Sequence, residues 1–346
     1  MANNPSSDAS PRKPRIAFFI GDPNGIGPEL AAKLLARDDL RSRADVLVLG
    51  ERGVLEAGAK VAGVPLALGD AASLDAPASG AALVTLPGLE PAALTPGKAN
   101  AAAGRWMLDG LKSMAAAAKR GAVDALLFAP LNKQAMKLGG LKHQDEQHLF
   151  ADLLEYRGYS VEFNVIDRLW TSRVTSHIPL KDVAGAVTRD GVKDAVRIID
   201  RGLKLGGIAK PRVAVAGLNP HAGEGGLLGR EEIEIIGPAI ADLQGEGIDA
   251  RGPFPPDTVF LAAKRGDYDA VVTMYHDQGQ IAMKLMGFDR GVTVLGGLPV
   301  PIATCAHGTA YDIFGRNAAN ALPLTNAFGL LLQMAANSHR ARQAAA

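Results

Sequence analysis

Short apolar runs alternate with amphipathic stretches along most of this chain. Runs typical of buried strands cover 15–20, 44–49, 123–128, 161–166, 169–175, 212–217 and 268–273. Helical periodicity covers the stretch up to residue 36, then 52–61, 99–120, 190–205, 231–244 and 317–334. This alternation predicts an α/β fold with largely parallel sheets flanked by helices. The Pro-, Ala- and Gly-rich segment 76–98 interrupts the pattern, and we expect it to be irregular.

Length and composition indicate an enzyme-sized globular protein. With 346 residues, 47% of them hydrophobic, the chain is long enough for two lobes. Its net charge of +1 and the absence of a basic run give no support for a nucleic-acid partner, so we expect a small-molecule ligand. The single cysteine, Cys305, excludes an internal disulfide. No run approaches the roughly twenty apolar residues of a membrane span, and we expect a cytoplasmic protein.

Both ends of the chain lack the apolar pattern. Residues 1–14 are rich in Asn, Ser, Pro and Ala and contain no apolar core for a signal peptide. They are predicted to form a disordered leader. We also expect the segment after Asn337 to fray.

The most informative stretch follows the apolar run 268–273, where His276 and Asp277 stand side by side and Lys284 comes soon after. Ligands and catalytic groups collect at the carboxyl ends of strands in parallel sheets. An imidazole beside a carboxylate can bind a divalent cation or move a proton, and Lys284 can supply a positive charge. The alternative is a loop whose His and Asp are simply solvated.

Two further histidines follow strand-like runs, so His177, His221 and His276 each come after the end of a predicted strand. Three imidazoles with an open position match the ligand set of a catalytic divalent-metal site, and zinc is the first choice among the metals. Asp257 and Asp277 could join that site or orient a substrate. No local spacing motif enforces convergence, so three separate structural roles stay open.

Polar residues also gather after the run 123–128 and in the segment 142–150. Lys133 lies near a predicted strand end, although a solvated lysine at a helix start is an equal alternative. Glu146 and Gln147 belong to an unusually polar stretch that precedes an amphipathic helix, and we regard them as candidate substrate contacts. Acidic residues that favour the start of a helix would explain the same stretch.

Glycine-rich loops near the end of the chain are candidates for nucleotide binding. The first is Gly296, Gly297, Leu298 and Pro299, and the second contains His307, Gly308, Thr309 and Asp312. Such loops can bind a nucleotide through backbone amides and ring stacking. The alternative for the second loop is a structural role with a packed histidine.

Taken together, the motifs GDPNGIGPE, SHIPL, GLNPHAGEGG, PPDT, YHDQG, GGLP and HGTA resemble the 4-hydroxythreonine-4-phosphate dehydrogenase family from residue 16 to about 335. The resemblance implies an isopropylmalate-dehydrogenase-like two-lobed fold. It places 15–135 plus 290–346 in a cofactor-side lobe and 136–289 in a lobe for metal, substrate and dimer contacts.

The resemblance also implies NAD or NADP as the cofactor and a homodimer with the active site at the subunit interface. His177, His221 and His276 would bind the metal, with zinc expected and Mg, Mn or Co as alternatives. Asp257, Asp277 and Lys284 match positions that contact substrate in the family, and Lys133 is a second candidate for charge or proton transfer.

Departures from the family pattern bear on the substrate. The segment of the family that helps hold the substrate aligns with 145–148, where Glu146 would repel a phosphate dianion. The family's Asn before the Gly-rich turn is Thr293 here, and its phosphate-binding Arg falls on Ile302, which offers no hydrogen bond. These changes favour an unphosphorylated substrate such as an aromatic cis-dihydrodiol carboxylate, as in the terephthalate branch of the family.

The expected reaction oxidises a secondary alcohol next to a carboxylate-bearing carbon and then releases CO2. Two alternatives stay open. One is oxidation of 4-phosphohydroxy-L-threonine in pyridoxal phosphate synthesis. The other is a protein that binds nucleotide and metal without catalysis.

Overall fold

The computed structural model describes residues 12–345. The predicted leader is therefore described only from Arg12, and residues 1–11 lie outside the described part of the chain. The guanidinium of Arg12 binds both carboxylate oxygens of Asp124, at 3.0 and 3.2 Å, and the backbone N–H of Asp45 donates to the carbonyl of Pro14. The last residues of the predicted leader are thus fixed to the body of the protein, which corrects that part of the prediction.

The described residues contain one 12-stranded sheet whose order is β3-β4-β2-β1-β5-β12-β11-β6-β7-β10-β8-β9. The strands are β1 (Arg15–Phe19), β2 (Asp45–Gly50), β3 (Gly69–Asp70), β4 (Ala81–Thr85), β5 (Ala125–Phe128), β6 (Val161–Ile166), β7 (Leu169–Arg173), β8 (Arg212–Ala216), β9 (Asp249–Phe254), β10 (Ala270–Thr273), β11 (Val292–Gly296) and β12 (Ile302–Cys305). Neighbouring strands are parallel except for the pairs β12/β11, β11/β6 and β6/β7. The predicted α/β class is therefore confirmed.

Segment 76–98 is not wholly irregular, because β4 lies within it and pairs in parallel with β2 over five residues. Strand β4 is short and lies between a glycine and a proline, so its apolar pattern is difficult to recognise in the sequence. The two halves of the sheet come from 15–135 and 136–289, and β11 and β12 join them in the middle. The boundaries of the two lobes stay a prediction.

Helices cover both faces of the sheet. They are α1 (Gly27–Leu35), α2 (Asp38–Arg41), α3 (Arg52–Ala62), α4 (Ala101–Lys119), α5 (Lys133–Leu138), α6 (Glu146–Leu153), α7 (Val183–Ala186), α8 (Arg189–Leu205), α9 (Gly237–Gly245), α10 (Val259–Arg265), α11 (His276–Gly287) and α12 (Leu322–Ala345). A π-helical turn spans Glu232–Ile236, and short 3₁₀ turns span Pro91–Ala93, Leu180–Asp182, Phe288–Arg290 and Tyr311–Ile313. Within residues 12–345, none of the helices combines the length and apolar character that a membrane crossing requires.

The final helix is longer than the sequence predicted. It continues to Ala345, so the expected fraying after Asn337 is wrong. The side-chain amide of Asn337 donates to the carbonyl of Leu205 at 2.8 Å, and Nε2 of His339 lies 2.6 Å from the carboxylate of Asp124. These contacts, made to distant parts of the chain, stabilise the last turns.

The crossing of α4 and α5 determines where one candidate residue stands. A Cβ added at Gly104 would lie 1.8 Å from the carbonyl oxygen of Ala135, so only glycine allows this approach. The side chain of Asn132 caps α5 by accepting from the backbone N–H of Ala135 at 2.8 Å. Lys133 is therefore the first residue of a helix fixed against α4.

Candidate active site

The carboxyl ends of β5, β7, β10 and β12 open onto one cavity of about 310 Å³. The segment after β5 contributes Lys133, β7 leads to His177, and β10 leads to His276. The antiparallel strands β6 and β11 complete the wall with Glu162 and Thr293. The cavity lies over β6 and β11 at the junction of the two halves of the sheet, where the parallel strands of each half end.

Many of the predicted site residues meet in this cavity, although they are far apart in the sequence. The predicted residues that line it are Lys133, Glu146, His177, His276, Lys284, Thr293, His307 and Gly308. The metal, substrate and cofactor candidates thus share one space. A volume of this size suits a small-molecule ligand.

His177 and His276 form the centre of the cavity, with ring centroids 5.4 Å apart. Nδ1 of His276 lies 2.7 Å from the carboxylate of Asp277, and Nδ1 of His177 lies 3.7 Å from that of Asp145. Burial lowers the pKa of His177, and nearby Arg173 lowers it further, so a neutral ring is favoured. At His276 the carboxylate at Nδ1 leaves Nε2 available to a cation, and this pairing is common at metal sites, whereas the 3.7 Å contact of His177 is too long for a hydrogen bond.

His221 stands apart from this pair. It lines a more open cavity of about 680 Å³ with Asp257 and Asp277, whereas Asp277 also borders the space beside His177 and His276. Among the residues that the structure describes, no group of three or more His, Cys, Asp or Glu side chains is arranged to hold a metal ion. Two imidazoles backed by carboxylates fit a divalent cation, but the predicted three-histidine site is not assembled within one chain.

The loop that carries His221 has an unusual backbone, because residues 221–225 all have positive φ angles between 45° and 78°. For residues other than glycine this conformation costs about 1–3 kcal/mol each. The buried carboxylate of Glu232 stabilises the loop by accepting from the backbone N–H groups of Leu218 and Asn219, at 2.7 and 2.8 Å. Sequence analysis missed Glu232, because it belongs to an acidic run typical of a surface helix.

Gln278 is a second residue that sequence analysis missed. Its side-chain oxygen accepts from the backbone N–H of Met274 at 2.7 Å, and its side-chain NH2 donates to the carbonyl of Gly217 at 2.9 Å. These bonds connect the end of β10 to the end of β8. Gln278 therefore fixes the strand end before His276 relative to the loop of His221, and the Gln of the YHDQG motif was its only sequence signal.

Lys133 and Glu146 form a pair at the cavity wall, with Nζ 3.6 Å from Oε2. Glu146 is only 8% exposed, and burial raises its pKa while the charge of Lys133 opposes that rise. At the neighbouring Asp145, burial also acts to raise the pKa, but hydrogen bonds from the backbone and ring of His148 outweigh it and the pKa is lowered. Asp145 is thereby favoured as a carboxylate that caps α6, whereas Glu146 has a greater tendency to stay protonated.

Several predicted residues do not line this cavity. Gln147 is buried and donates to the carbonyl of Gly296 at 3.2 Å, and Ile302 is fully buried in β12 beside Leu126. The carbonyl of Thr309 accepts from the backbone N–H of Ile26 at 3.1 Å. Other predicted residues outside the lining are Asp257, Gly296, Gly297, Leu298, Pro299 and Asp312.

The loop that begins at His307 is fixed against the first strand-to-helix turn. The hydroxyl of Tyr311 donates to the carboxylate of Asp22 at 2.5 Å, and the backbone N–H of Asn24 donates to the same carboxylate at 2.9 Å. Burial raises the pKa of Asp22, although these two bonds oppose the rise. The predicted nucleotide loop is thus held by a buried polar contact with GDPNG.

A mostly parallel α/β sheet with titratable groups at its strand ends defines a small-molecule enzyme of the doubly wound type. The family profile described as "Pyridoxal phosphate biosynthetic protein PdxA" matches residues 42–331. The chain belongs to this family. The family predicted from the sequence motifs is therefore confirmed.

Two relatives cover nearly the whole chain. A protein from Rhizobium meliloti with the provisional name 4-hydroxythreonine-4-phosphate dehydrogenase 2 is 46% identical, with 100% of both chains covered. The D-threonate 4-phosphate dehydrogenase of Salmonella typhimurium is 39% identical, with 92% of this chain and 98% of the relative covered. These similarities confirm that the chain belongs to a family of dehydrogenases.

Two solved structures bear on the choice of substrate. The 4-hydroxythreonine-4-phosphate dehydrogenase of Klebsiella pneumoniae has a TM-score of 0.79 at 36% identity, covering 95% of this chain and 99% of its own. The terephthalate 1,2-cis-dihydrodiol dehydrogenase of Burkholderia xenovorans has a TM-score of 0.67 at 31% identity, covering 93% and 98%. The similarity is greater to the proteins named for phosphorylated substrates, so the preference for an aromatic dihydrodiol lacks support.

Proposed function

We propose that this protein is an NAD(P)-dependent dehydrogenase for a small 4-phosphorylated hydroxy acid, of the type of 4-phosphohydroxy-L-threonine or D-threonate 4-phosphate. The observation that carries the proposal is the concentration of basic side chains in the strand-end cavity, where Lys133, Lys284 and His307 accompany His177 and His276. Cations from separate elements can together bind a phosphate dianion. The proposed substrate replaces the unphosphorylated one that the sequence favoured.

The argument against a phosphate rested on Glu146 and Ile302, and the surroundings of both residues weaken it. Glu146 has a raised pKa and lies beside Lys133, so its negative charge is reduced or offset. The other acidic residue that lines the cavity, Glu162, forms an ion pair with Arg173, with a guanidinium nitrogen 2.9 Å from a carboxylate oxygen. Ile302 does not line the cavity, so the absence of arginine there does not exclude phosphate binding.

His177 and His276 are the residues that would hold a divalent cation, with His221 as a third ligand supplied on assembly of the dimer. A bound cation would polarise the substrate hydroxyl and lower its pKa, and zinc is the first candidate, with Mg, Mn and Co as alternatives. Asp277 orients the ring of His276 through the 2.7 Å contact. Lys284 stands in the same cavity and can carry charge or a proton.

The cofactor would lie along the loops 296–299 and 307–312. NAD or NADP supplies the hydride acceptor, so oxidation removes a hydride and a proton from the secondary alcohol. If the oxidised carbon is β to a carboxylate, the product can lose CO2, and the cationic cavity favours the electron-rich product of that step. Oxidation followed by decarboxylation is thus the proposed reaction, and a cytoplasmic location stays a prediction.

Substrate choice is tested by NAD and NADP reduction with three substrates side by side. The metal-loaded enzyme is given 4-phosphohydroxy-L-threonine, D-threonate 4-phosphate and the cis-dihydrodiol of terephthalate at matched concentrations. We expect kcat/KM to be about 100-fold higher for a phosphorylated substrate, because charged hydrogen bonds contribute about 1.5–3 kcal/mol each. Turnover of the dihydrodiol alone would reject the proposal. It would support the aromatic cis-dihydrodiol carboxylate that the sequence analysis favoured.

We also propose that the protein works as a homodimer, with the contact surface next to the histidines. Large apolar side chains there are unusually exposed, including Leu285 at 85%, Leu227 at 80% and Leu180 at 71%. Leu180 follows His177, Leu227 follows His221, and Leu285 lies on the helix that begins with His276. Large apolar side chains exposed near one site are typical of protein contacts, and a second copy would complete the ligand set that one chain lacks.

Replacing Leu285 with Asp is expected to shift the protein from dimer to monomer in sedimentation velocity, because the carboxylate would be buried without a partner. The variant should also lose bound metal, since the three histidines do not meet within one chain. Leu138→Asp is the matched control, at a side chain 56% exposed on α5 in the other half of the sheet. A Leu285→Asp protein that stays dimeric would contradict the proposed contact surface.

A further inference from the structure

A second cavity shares none of its lining residues with the candidate active site. It has a volume of about 440 Å³ and is built where β7, β8 and β10 begin, whereas the histidines follow the ends of β7 and β10. The two linings approach each other along α11, where Lys284 lines the candidate active site and Met286 lines the second cavity. The cavity is therefore distinct from the catalytic one, and its size is within the usual range for small ligands.

The charged lining of this cavity is strongly basic, with five basic and two acidic side chains. Three of the basic groups have carboxylate partners: Arg212 with Asp269 at 2.9 Å, Arg290 with Asp167 at 3.2 Å, and Arg265 with Asp267 at 2.8 Å. Within residues 12–340, Arg168 and Lys264 have no carboxylate within 4.0 Å. The cavity thus presents two cations without an ion-pair partner, although the charge of Arg168 contributes to lowering the pKa of Asp269.

Local structure fixes the backbone positions of these two exposed residues. Arg168 occupies the two-residue turn between β6 and β7, where Ile166 pairs directly with Leu169 and Asp167 has a φ of 53°. Lys264 lies in the last turn of α10, which ends at the left-handed Gly266. The Nε of Arg290 is buried in the same lining without a hydrogen-bond partner. The fold therefore places the backbone of both residues at the cavity, and one buried donor in the lining lacks an acceptor.

Part of the lining of this second cavity is apolar. Ile166, Leu169 and Ala263 belong to a buried cluster, and Tyr268 and Met286 pack against it while also lining the cavity. The ring of Tyr268 is held by Phe254, with centroids 5.4 Å apart. A ligand here would meet both apolar or aromatic surface and cations.

We propose that this second cavity binds a phosphate monoester with a small flat apolar body. The phosphate group would bind between Arg168 and Lys264, and the body would lie against Tyr268 and Met286. A phosphate monoester carries a charge of about −1.5 to −2 at pH 7, which matches the two cations without close acidic partners. The proposal is independent of the reaction at the histidines and assigns a second ligand site to the chain.

Isothermal titration calorimetry with phenyl phosphate on the metal-loaded protein tests the site. The wild-type protein is compared with the double variant Arg168→Ala, Lys264→Ala, in which two exposed side chains are shortened. We expect the double variant to bind the probe at this site about 100-fold more weakly, since two charge-assisted contacts are lost. The matched control is Arg43→Ala, Lys60→Ala, which removes the same charge from exposed positions in the other half of the sheet.

Two further measurements make the test specific. Inorganic phosphate should bind about tenfold more weakly than phenyl phosphate in the wild-type protein, and Tyr268→Ala should remove that difference. Turnover by the double variant should equal that of the wild type, so failure of this proposal is distinguishable from failure of the proposed reaction. Equal affinity of wild type and double variant for phenyl phosphate, or equal affinity of the wild type for both probes, would overturn the assignment.

Discussion

Replacing His276 with alanine is expected to lower metal-dependent reduction of NAD(P) about 1,000-fold and to reduce the metal content of the purified protein. The ring of His276 faces that of His177 at 5.4 Å and is oriented by Asp277. A cation that polarises the reacting oxygen contributes several kcal/mol, and each 1.36 kcal/mol corresponds to about tenfold in rate. The measurements are initial rates of NAD(P) reduction and metal content by mass spectrometry. Both are made on protein that has been dialysed against a buffer containing a trace concentration of the metal.

The matched control for this prediction is His143→Ala. Nε2 of His143 lies 3.3 Å from the carboxylate of Asp152, and the residue does not line the cavity. This variant should keep both the metal and the rate. If His276→Ala retained full metal content and full turnover, the cation would have to be bound elsewhere, and the assignment of His177 would lose its basis too.

Replacing Lys133 with methionine is expected to lower kcat/KM about 100-fold for the phosphorylated substrate. The ammonium group lies in the cavity, and a hydrogen bond to a charged group contributes about 1.5–3 kcal/mol. Methionine keeps much of the length of the side chain but removes its charge. Lys137→Met is the control, because it changes the same residue type on the same helix outside the cavity. Equal losses in the two variants would show that helix stability, not substrate contact, causes the effect.

The same variant has a second expected effect, on stability. Burial raises the pKa of Glu146, and Lys133 opposes that rise, so removing the lysine should raise this pKa further. A folded-state pKa above the unfolded value contributes stability that is present at low pH and is lost as the pH rises through the folded-state pKa. Lys133→Met should therefore lose stability relative to wild type as the pH rises above the ordinary glutamate pKa of 4.5, measured by urea denaturation. A difference in stability that does not change with pH would contradict this account.

Sequence alone determined the fold class and the family. Apolar runs such as 123–128 and 212–217 identify buried strands, because a parallel sheet covered on both faces requires continuous apolar segments. The sequence also singled out His177, His276, Lys133 and Lys284, because polar groups at strand ends are the exception to that pattern. The sequence did not predict β4, because this strand is short and depends on pairing with β2. It also did not predict the end of α12, where the carboxylate of the distant Asp124 contacts His339.

Only the tertiary structure decided which of these residues stand together. It brought His307 and His177 into the lining of one cavity, left His221 at a separate cavity, and buried Ile302 within the sheet. It also gave Glu146 a buried position next to Lys133, which weakened the argument against a phosphorylated substrate. The physical reason is that burial, charge pairing and shared cavities depend on distances between residues far apart in the chain, whereas the apolar pattern that selects a strand or helix is local.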